Sequence, residues 1–305
     1  MRLIGIALAC ALMAPAAELR VGTAAVKITP PQGAAMSGYY YNRAAEGVHD
    51  DLYAKAVVFE SNGQKAGLVA CDVSGLPREI IDAARKAIDA GGALSGGRVM
   101  ISATHTHTGP VVLAGRTRYN LEGDMLRITT AYAESLPGKI AESIRLADAA
   151  LQPARASAAI GREPSLTFNR RFHMKDGTVG WNPGKLNPNI VRPAGPIDPG
   201  VPVVYLEGTN GKPLATYVNY ALHLDTVGGM EYSADYAYTL GKLLGAVKGP
   251  EMLAVFTIGC AGNLNHIDVS TRAPQKGHGE AARIGTVLAA EVLKTMQRLE
   301  TVEAG

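Results

Sequence analysis

The chain has 305 residues, enough for one large α/β domain or two small ones. Hydrophobic residues make up 47% and charged residues 19%, a composition that excludes intrinsic disorder. The formal net charge of +3 is small for this length. No cluster of Lys and Arg interleaved with aromatics forms a nucleic-acid footprint, so nucleic acid is not expected as a partner.

The N-terminus reads as an export signal. Met1-Arg2 is followed by an apolar run from Leu3 to Met13 and then Ala14-Pro15-Ala16, a small-residue cleavage site. The run is too short for a membrane anchor, and Ala7-Leu8-Ala9 before Cys10 makes a poor lipobox. Cleavage is expected after Ala16, giving a secreted or periplasmic protein with at most peripheral membrane contact. The remaining cysteines, Cys71 and Cys260, lie in or beside apolar runs. They read as buried thiols, with a disulfide as the alternative that export permits.

Short apolar, β-branched segments predict strands at Leu19 to Ile28, Tyr53 to Glu60, Gly67 to Cys71, Val99 to Ala103, Val203 to Glu207, Leu214 to Tyr220 and Ala254 to Ile258. Helical patterns fall at Arg78 to Ala90, within Ala131 to Ala149, at Tyr236 to Val247 and at Gly279 to Leu299, the last with Ile284, Val287, Leu288 and Val292 on one face. Strands alternating with helices predict an α/β fold, a layered sheet flanked by helices. Between Phe168 and Pro202 the sequence is crowded with Asn-Pro, Gly-Lys, Gly-Pro and Asp-Pro pairs, which predicts a long irregular excursion and a candidate lid.

The chemistry-bearing residues sit at strand ends. Val99 to Ala103 runs into Thr104-His105-Thr106-His107-Thr108-Gly109-Pro110; if the strand geometry persists, His105 and His107 face one side together, a common presentation of nitrogen ligands to zinc. The competing reading is a pair of structural, hydrogen-bonded histidines. His223 follows Leu214 to Tyr220 in the same way, and ligands in open α/β sheets bind at strand ends. The third strand end, Gly259-Cys260-Ala261-Gly262, is either a tight turn whose amides approach an oxyanion or phosphate, or a plain strand-to-loop turn. Asp72, closing another strand, can orient a metal-bound imidazole or cap the following helix. His173 and His278 read as surface residues.

Taken together, these motifs resemble the neutral/alkaline ceramidase family. Ile101 to Pro110 is similar to the family's strand ending in Thr-His-Thr-His-Ser-Gly-Pro. Gly195-Pro196-Ile197-Asp198-Pro199 resembles its Gly-Pro-x-Asp-Pro, and Val218-Asn219-Tyr220-Ala221-Leu222-His223 its Asn-Phe-Ala-x-His. Thr29-Pro30-Pro31 and Met36-Ser37-Gly38-Tyr39 are also in the family's manner, so the likeness runs from about Val21 to the end and makes residues 17–305 a ceramidase-like N-terminal catalytic domain. The resemblance implies that His105 and His223 bind Zn2+, that His107 contacts substrate, and that Arg170 of Asn169-Arg170 lies near a scissile amide, although Arg171 follows at once.

Two departures accompany it. The family carries Gly-[Asp/Asn]-x-Ser-Pro-Asn where this chain has Gly262-Asn263-Leu264-Asn265-His266, so Asn265 stands in place of the serine in the substrate and oxyanion region formed with Gly262 and Asn263. The family's remaining ligands, a glutamate and a tyrosine, come later in the chain than Gly305. Either the missing ligands belong to an absent C-terminal region, the preferred expectation, or Asp72, Asp225, His49 or His266 supplies them, since catalytic zinc usually has three protein ligands. The expected activity is a zinc-dependent hydrolysis of an amide in a small amphipathic, N-acylated, lipid-like substrate. The alternatives are a metallohydrolase of another ester or amide, and a non-catalytic exported binding domain with an incomplete metal site.

Overall fold

The computed structural model describes residues 18–92, 94–114 and 118–303, so the expected signal segment 1–16 with Cys10 lies outside the described residues. In chain order, the first half comprises β1 (Arg20–Lys27), β2 (Gly47–Val48), β3 (Tyr53–Ser61), β4 (Gln64–Cys71), α1 (Arg78–Gly91), β5 (Val99–Ala103), α2 (Gly123–Ala149) and β6 (Gln152–Arg162). The second half continues with β7 (Phe168–Asn169), β8 (Arg171–Met174), β9 (Val179–Trp181), β10 (Ile190–Pro193), β11 (Gly200–Gly208), β12 (Pro213–Tyr220) and β13 (Glu231–Tyr232). It closes with α3 (Tyr236–Lys248), β14 (Leu253–Ile258), β15 (Leu264–Asn265), α4 (His278–Thr295) and β16 (Glu300–Val302).

The main sheet has the order β14-β12-β11-β6-β1-β3-β4-β5, with β16 also paired to β6. The pairs at its two ends, β12 with β14 and β4 with β5, are parallel, and the others are antiparallel. The centre of the path is thin: β1 meets β6 only at Arg20 opposite Pro153 and Val21 opposite Gln152. The sheet folds over at this joint. Val21, Val57 and Ala70 of one half consequently pack against Leu206, Leu214, Ala215 and Val255 of the other in an inner core.

Helices cover the two outer faces. On one side Ile80, Ala84 and Ile88 of α1 and Leu136, Ile140 and Ile144 of α2 pack on Ala54, Ala56, Val58 and Val69. On the other, Leu240 and Leu244 of α3 and Ile284, Leu288 and Val292 of α4 pack on Val203, Val218 and Phe256. The result is an α/β fold with two sheet layers between two helix layers. Each Val, Leu or Ile side chain buried this way contributes roughly 1.5–3 kcal/mol. Where β1 passes under α2 the residue is Gly22, and a Cβ there would run into the Ala147 carbonyl.

Three elements differ from the sequence reading. Helix α2 begins at Gly123 and continues through Pro137, which deprives one turn of its hydrogen-bond donor. Leu136 and Ile140 on either side are fully buried, so tertiary packing outweighs the local defect of about 3 kcal/mol. Strand β6 escapes sequence detection because Ala154, Ala156, Ala158 and Ala159 carry little strand preference; its place beside β11 imposes the conformation. The Phe168 to Pro202 excursion is present and holds a small sheet of its own, β10-β8-β9, hidden in the sequence by the turn residues between its strands. No helix among the described residues is long and apolar enough to cross a membrane.

Candidate metal centre

The folded sheet brings together histidines carried on opposite halves. His105 follows β5 and His223 follows β12, and in a flat sheet six strand spacings of about 4.8 Å would hold them nearly 30 Å apart. Their ring centroids instead lie 4.8 Å apart, with His107 at 5.0 Å from His105 and 5.5 Å from His223. One ligand atom from each of the three lies within 4.8 Å of the others, the sole such grouping among the described residues.

The pair on the first half converges by a different route from simple strand alternation. Strand β5 stops at Ala103, and His105 has φ of 71°, a left-handed conformation uncommon for a non-glycine residue. Its amide donates to the Val73 carbonyl at 3.0 Å, and that of His107 to Leu224 at 2.9 Å. The intervening Thr104, Thr106 and Thr108 are buried, and Ser233 O accepts from Thr106 Oγ1 at 2.7 Å and Thr108 Oγ1 at 3.0 Å. Local strain of this kind, of order 1–3 kcal/mol, persists only where the surroundings over-determine it.

The donor set fits a metal ion. His105 Nδ1 donates to Ser74 O at 2.6 Å, and His223 Nδ1 is shared between Ala261 O at 2.8 Å and Leu264 O at 3.1 Å. Both protons are thereby fixed on Nδ1, leaving Nε2 of each ring as a lone pair, the usual arrangement for a ligating histidine held by backbone carbonyls. His107 Nε2 lies 3.4 Å from His105 Nε2. Its Nδ1 is 3.3 Å from Asp225 Oδ1, off the angle of a well-formed hydrogen bond, so the contact is Coulombic; it favours the proton on Nδ1 and a lone pair on Nε2. Lone pairs converging at this range repel one another unless a proton shared between His107 and His105, or a cation, lies between them.

Electrostatics agree. Burial pushes the His223 imidazole down to about 4, with Arg170 adding to the effect. Burial also lowers His105, against the opposing pull of the Ser74 carbonyl. Both are therefore neutral, ligand-competent rings near neutral pH. Burial would raise the Asp225 carboxyl, but His107, His266 and His223 outweigh it and hold the group below its ordinary value.

The three histidines open on a cavity of about 360 Å³ that is also lined by Tyr39, Tyr40, Arg118, Arg170, Trp181, Asn182 and Asp225. Arg170 is fixed twice: Nε and Nη2 donate to Gly262 O at 3.1 and 2.7 Å, and its guanidinium lies 4.0 Å from the Trp181 ring centroid. The excursion that carries both residues is docked through the pairing of β7 with β15 and forms a wall of the site. Tyr39 packs edge-on against His107, with its hydroxyl 3.5 Å from Asp225 Oδ1.

Among solved structures, the neutral ceramidase from Pseudomonas aeruginosa matches with a TM-score of 0.77, over 95% of this chain and 46% of that one. The chain has a neutral ceramidase fold. A ceramidase complexed with C2 matches with the same TM-score over 95% of this chain and 45% of that one, and both are 21% identical to it. The chain thus spans about half the length of these ceramidases. No protein-family model and no curated protein matches it.

Within the ceramidase fold the remaining predicted residues separate. Of the four alternative ligands, Asp225 alone lines the histidine cavity. Asp72 accepts from the Tyr53 amide and lies 3.6 Å from Lys55, so it orients no histidine. It shares a separate cavity of about 460 Å³ with His49, whose ring bonds Asp50 at 2.8 Å and stacks on His278 at 3.6 Å. His266 Nε2 donates to Gln275 O at 2.7 Å.

The Gly259 to Asn265 turn, read from sequence as either an amide-lined anion site or a plain strand-to-loop turn, meets the site through carbonyls. Ala261 and Leu264 hold His223, Gly262 holds the Arg170 guanidinium, and Asn263 O accepts the Arg170 amide. The amides of Gly259, Ala261 and Leu264 are already engaged by Tyr220, Gly259 and Ala261. Asn265 donates from Nδ2 to Asn182 Oδ1 at 3.0 Å. Cys71 is buried and Cys260 exposed, both as free thiols, so the expectation of a second buried thiol fails at Cys260.

Sequence reasoning missed Arg43 and Trp181, and it quoted Tyr39 without a role. Arg43 Nη2 donates to His107 O at 2.8 Å and its guanidinium lies 4.3 Å from the Tyr39 ring centroid, bracing the loop from beneath. No spacing rule points to these residues: Tyr39 and Arg43 come from the irregular segment before β2, and Trp181 ends the short strand β9.

Proposed function

We propose that the chain is a metal-dependent hydrolase of an amide bond in an N-acylated, lipid-like substrate, with zinc held by His105, His107 and His223. The observation that carries this reading is the convergence of three imidazole donors within 4.8 Å, two of them with Nδ1 tied to backbone carbonyls. Three nitrogen ligands with an open position is the usual pattern of catalytic zinc. When bound, the ion supplies Lewis acidity toward a carbonyl oxygen and a water of lowered pKa.

The residues of the chain itself do the positioning. Arg170, held rigid by Trp181 and Gly262 O, is preorganised to stabilise negative charge developing on the acyl oxygen. Asp225 stands 3.3 Å from His107 Nδ1 and, with the Tyr39 hydroxyl, offers a proton-transfer pair beside the ligands. The apolar rims of Tyr40 and Trp181, both exposed, suit an acyl chain at the mouth. The names of the matched ceramidases support an amide substrate, and export remains part of this proposal.

The test is release of fatty acid from an N-acyl amide by the zinc-loaded protein. Activity that disappears with a chelator and returns with zinc is expected. Undiminished activity after complete metal removal would overturn the reading.

A further inference from the structure

Three guanidinium groups surround the histidine cluster, and no carboxylate among the described residues forms an ion pair with any of them. Arg43 lies beneath the cluster and is consumed by the backbone carbonyls of His107, Ser37 and Gly229. Arg170 commits Nε and Nη2 to Gly262 O, leaving Nη1 without a protein acceptor among the described residues. Arg118 makes no hydrogen bond to a described residue, and its guanidinium lies 5.2 and 5.5 Å from the Tyr40 and Tyr119 ring centroids.

Asp225 is the single acid lining this cavity, and its Oδ1 is already turned to His107 and the Tyr39 hydroxyl. Arg118 and Arg170 therefore face a partly enclosed space in which one carboxylate, Asp225, opposes two guanidinium groups, an excess of positive charge before any divalent ion adds to it. A wholly neutral amphipath filling the cavity would strip water from both guanidinium groups and return no counter-charge, an unfavourable exchange. A carboxylate returns it in full, since the planar fork of arginine matches two carboxylate oxygens.

We propose that the substrate of this site carries an anionic group, a carboxylate, seated against Arg118 and Arg170 beside the scissile amide. The inference rests on reading the site as an amide hydrolase, and it narrows the substrate class to N-acyl amino acids and related acidic amides. The two arginines contribute differently. Arg170 is rigid and close to the imidazoles, whereas Arg118 is exposed and acts on ground-state recognition of the charged end.

The experiment compares laurate release from N-lauroylglycine and from N-lauroylglycinamide, near-isosteric compounds of which only the first carries a negative charge. With the zinc-loaded protein, kcat/KM is expected to favour the carboxylate by about tenfold or more, as hydrogen bonds to a charged group imply. The ratio should fall toward one in Arg118→Gln and shrink with added salt. Equal rates for the two compounds, or a preference that survives both Arg118→Gln and Arg170→Gln, would overturn the proposal. If neither compound is cleaved, the hydrolase reading fails separately, and calorimetry on the metal-free protein decides. Tighter binding of the carboxylate that is lost in Arg118→Gln sustains the anionic specificity, and equal binding refutes it.

Discussion

The imidazoles of His105 and His223, carried on opposite halves of the folded sheet, lie 4.8 Å apart between ring centroids. Each donates Nδ1 to a carbonyl of its own neighbourhood, Ser74 for one and Ala261 with Leu264 for the other. The site is therefore an interface between two halves of the main sheet whose direct strand pairing is limited to the two residue pairs of β1 and β6. Metal bound there clasps the halves.

Removing one ligand should abolish stoichiometric binding. His223→Ala is expected to lose at least about 100-fold in zinc affinity, because two donors do not hold catalytic zinc and the effect exceeds the 10–100-fold typical of outer-shell partners. Elemental analysis of the purified variant beside wild type checks it. His107→Ala separates a ligand from a substrate contact: metal content falls in the first case and stays near one equivalent in the second.

Acid should destabilise the metal-free protein through the same residues. The folded-state value of His223 is about 4 against an ordinary value of 6.5, so the unfolded chain binds more protons between these limits. The stability contributed by the neutral, buried ring is fully present above about 6.5 and is lost as pH falls toward 4. Thermal unfolding of the metal-free protein should show a falling Tm across that window. A His223→Gln variant should flatten the curve, and an unchanged slope would contradict the assignment.

Asp50 is buried and sits two links from the cluster. Its Oδ2 accepts from Ser233 Oγ at 2.6 Å, its Oδ1 from the Ala234 amide at 2.7 Å, and Ser233 O holds the threonines on either side of His107. Asp50→Ala leaves these donors unsatisfied in the interior, an expected loss of about 1–3 kcal/mol. Denaturant titration measures that loss, and competition with a chromogenic chelator measures zinc affinity, which is expected to weaken as well. Stability lost with affinity intact would confine Asp50 to a purely structural role.

Arg170→Lys keeps the charge and removes the fork. The two bonds to Gly262 O and the stacking on Trp181 cannot be reproduced by a single ammonium, so kcat is expected to fall about 10- to 100-fold with a smaller change in KM. Steady-state kinetics on one N-acyl substrate distinguishes this from a uniform binding loss.

Gly38 has φ of 97°, and a Cβ there would lie 2.6 Å from His107 Cα. Gly38→Ala should therefore displace the His107 loop and weaken zinc binding, whereas unaltered metal affinity would show that the loop can yield.

Sequence alone determined the strands that lead into His105, His107 and His223, because buried β-branched runs and the histidines that follow them are local features of the chain. It also determined the α/β character and the place of Arg170 in a long excursion. Tertiary structure decided the rest. The fold at the β1–β6 joint, the left-handed turn at His105, the bracing by Arg43 and Trp181, and the exclusion of Asp72 and His49 from the cluster depend on contacts between distant segments. Sequence periodicity records which face of an element is apolar; it carries no record of which other face will meet it, and the metal centre lies where two such faces close.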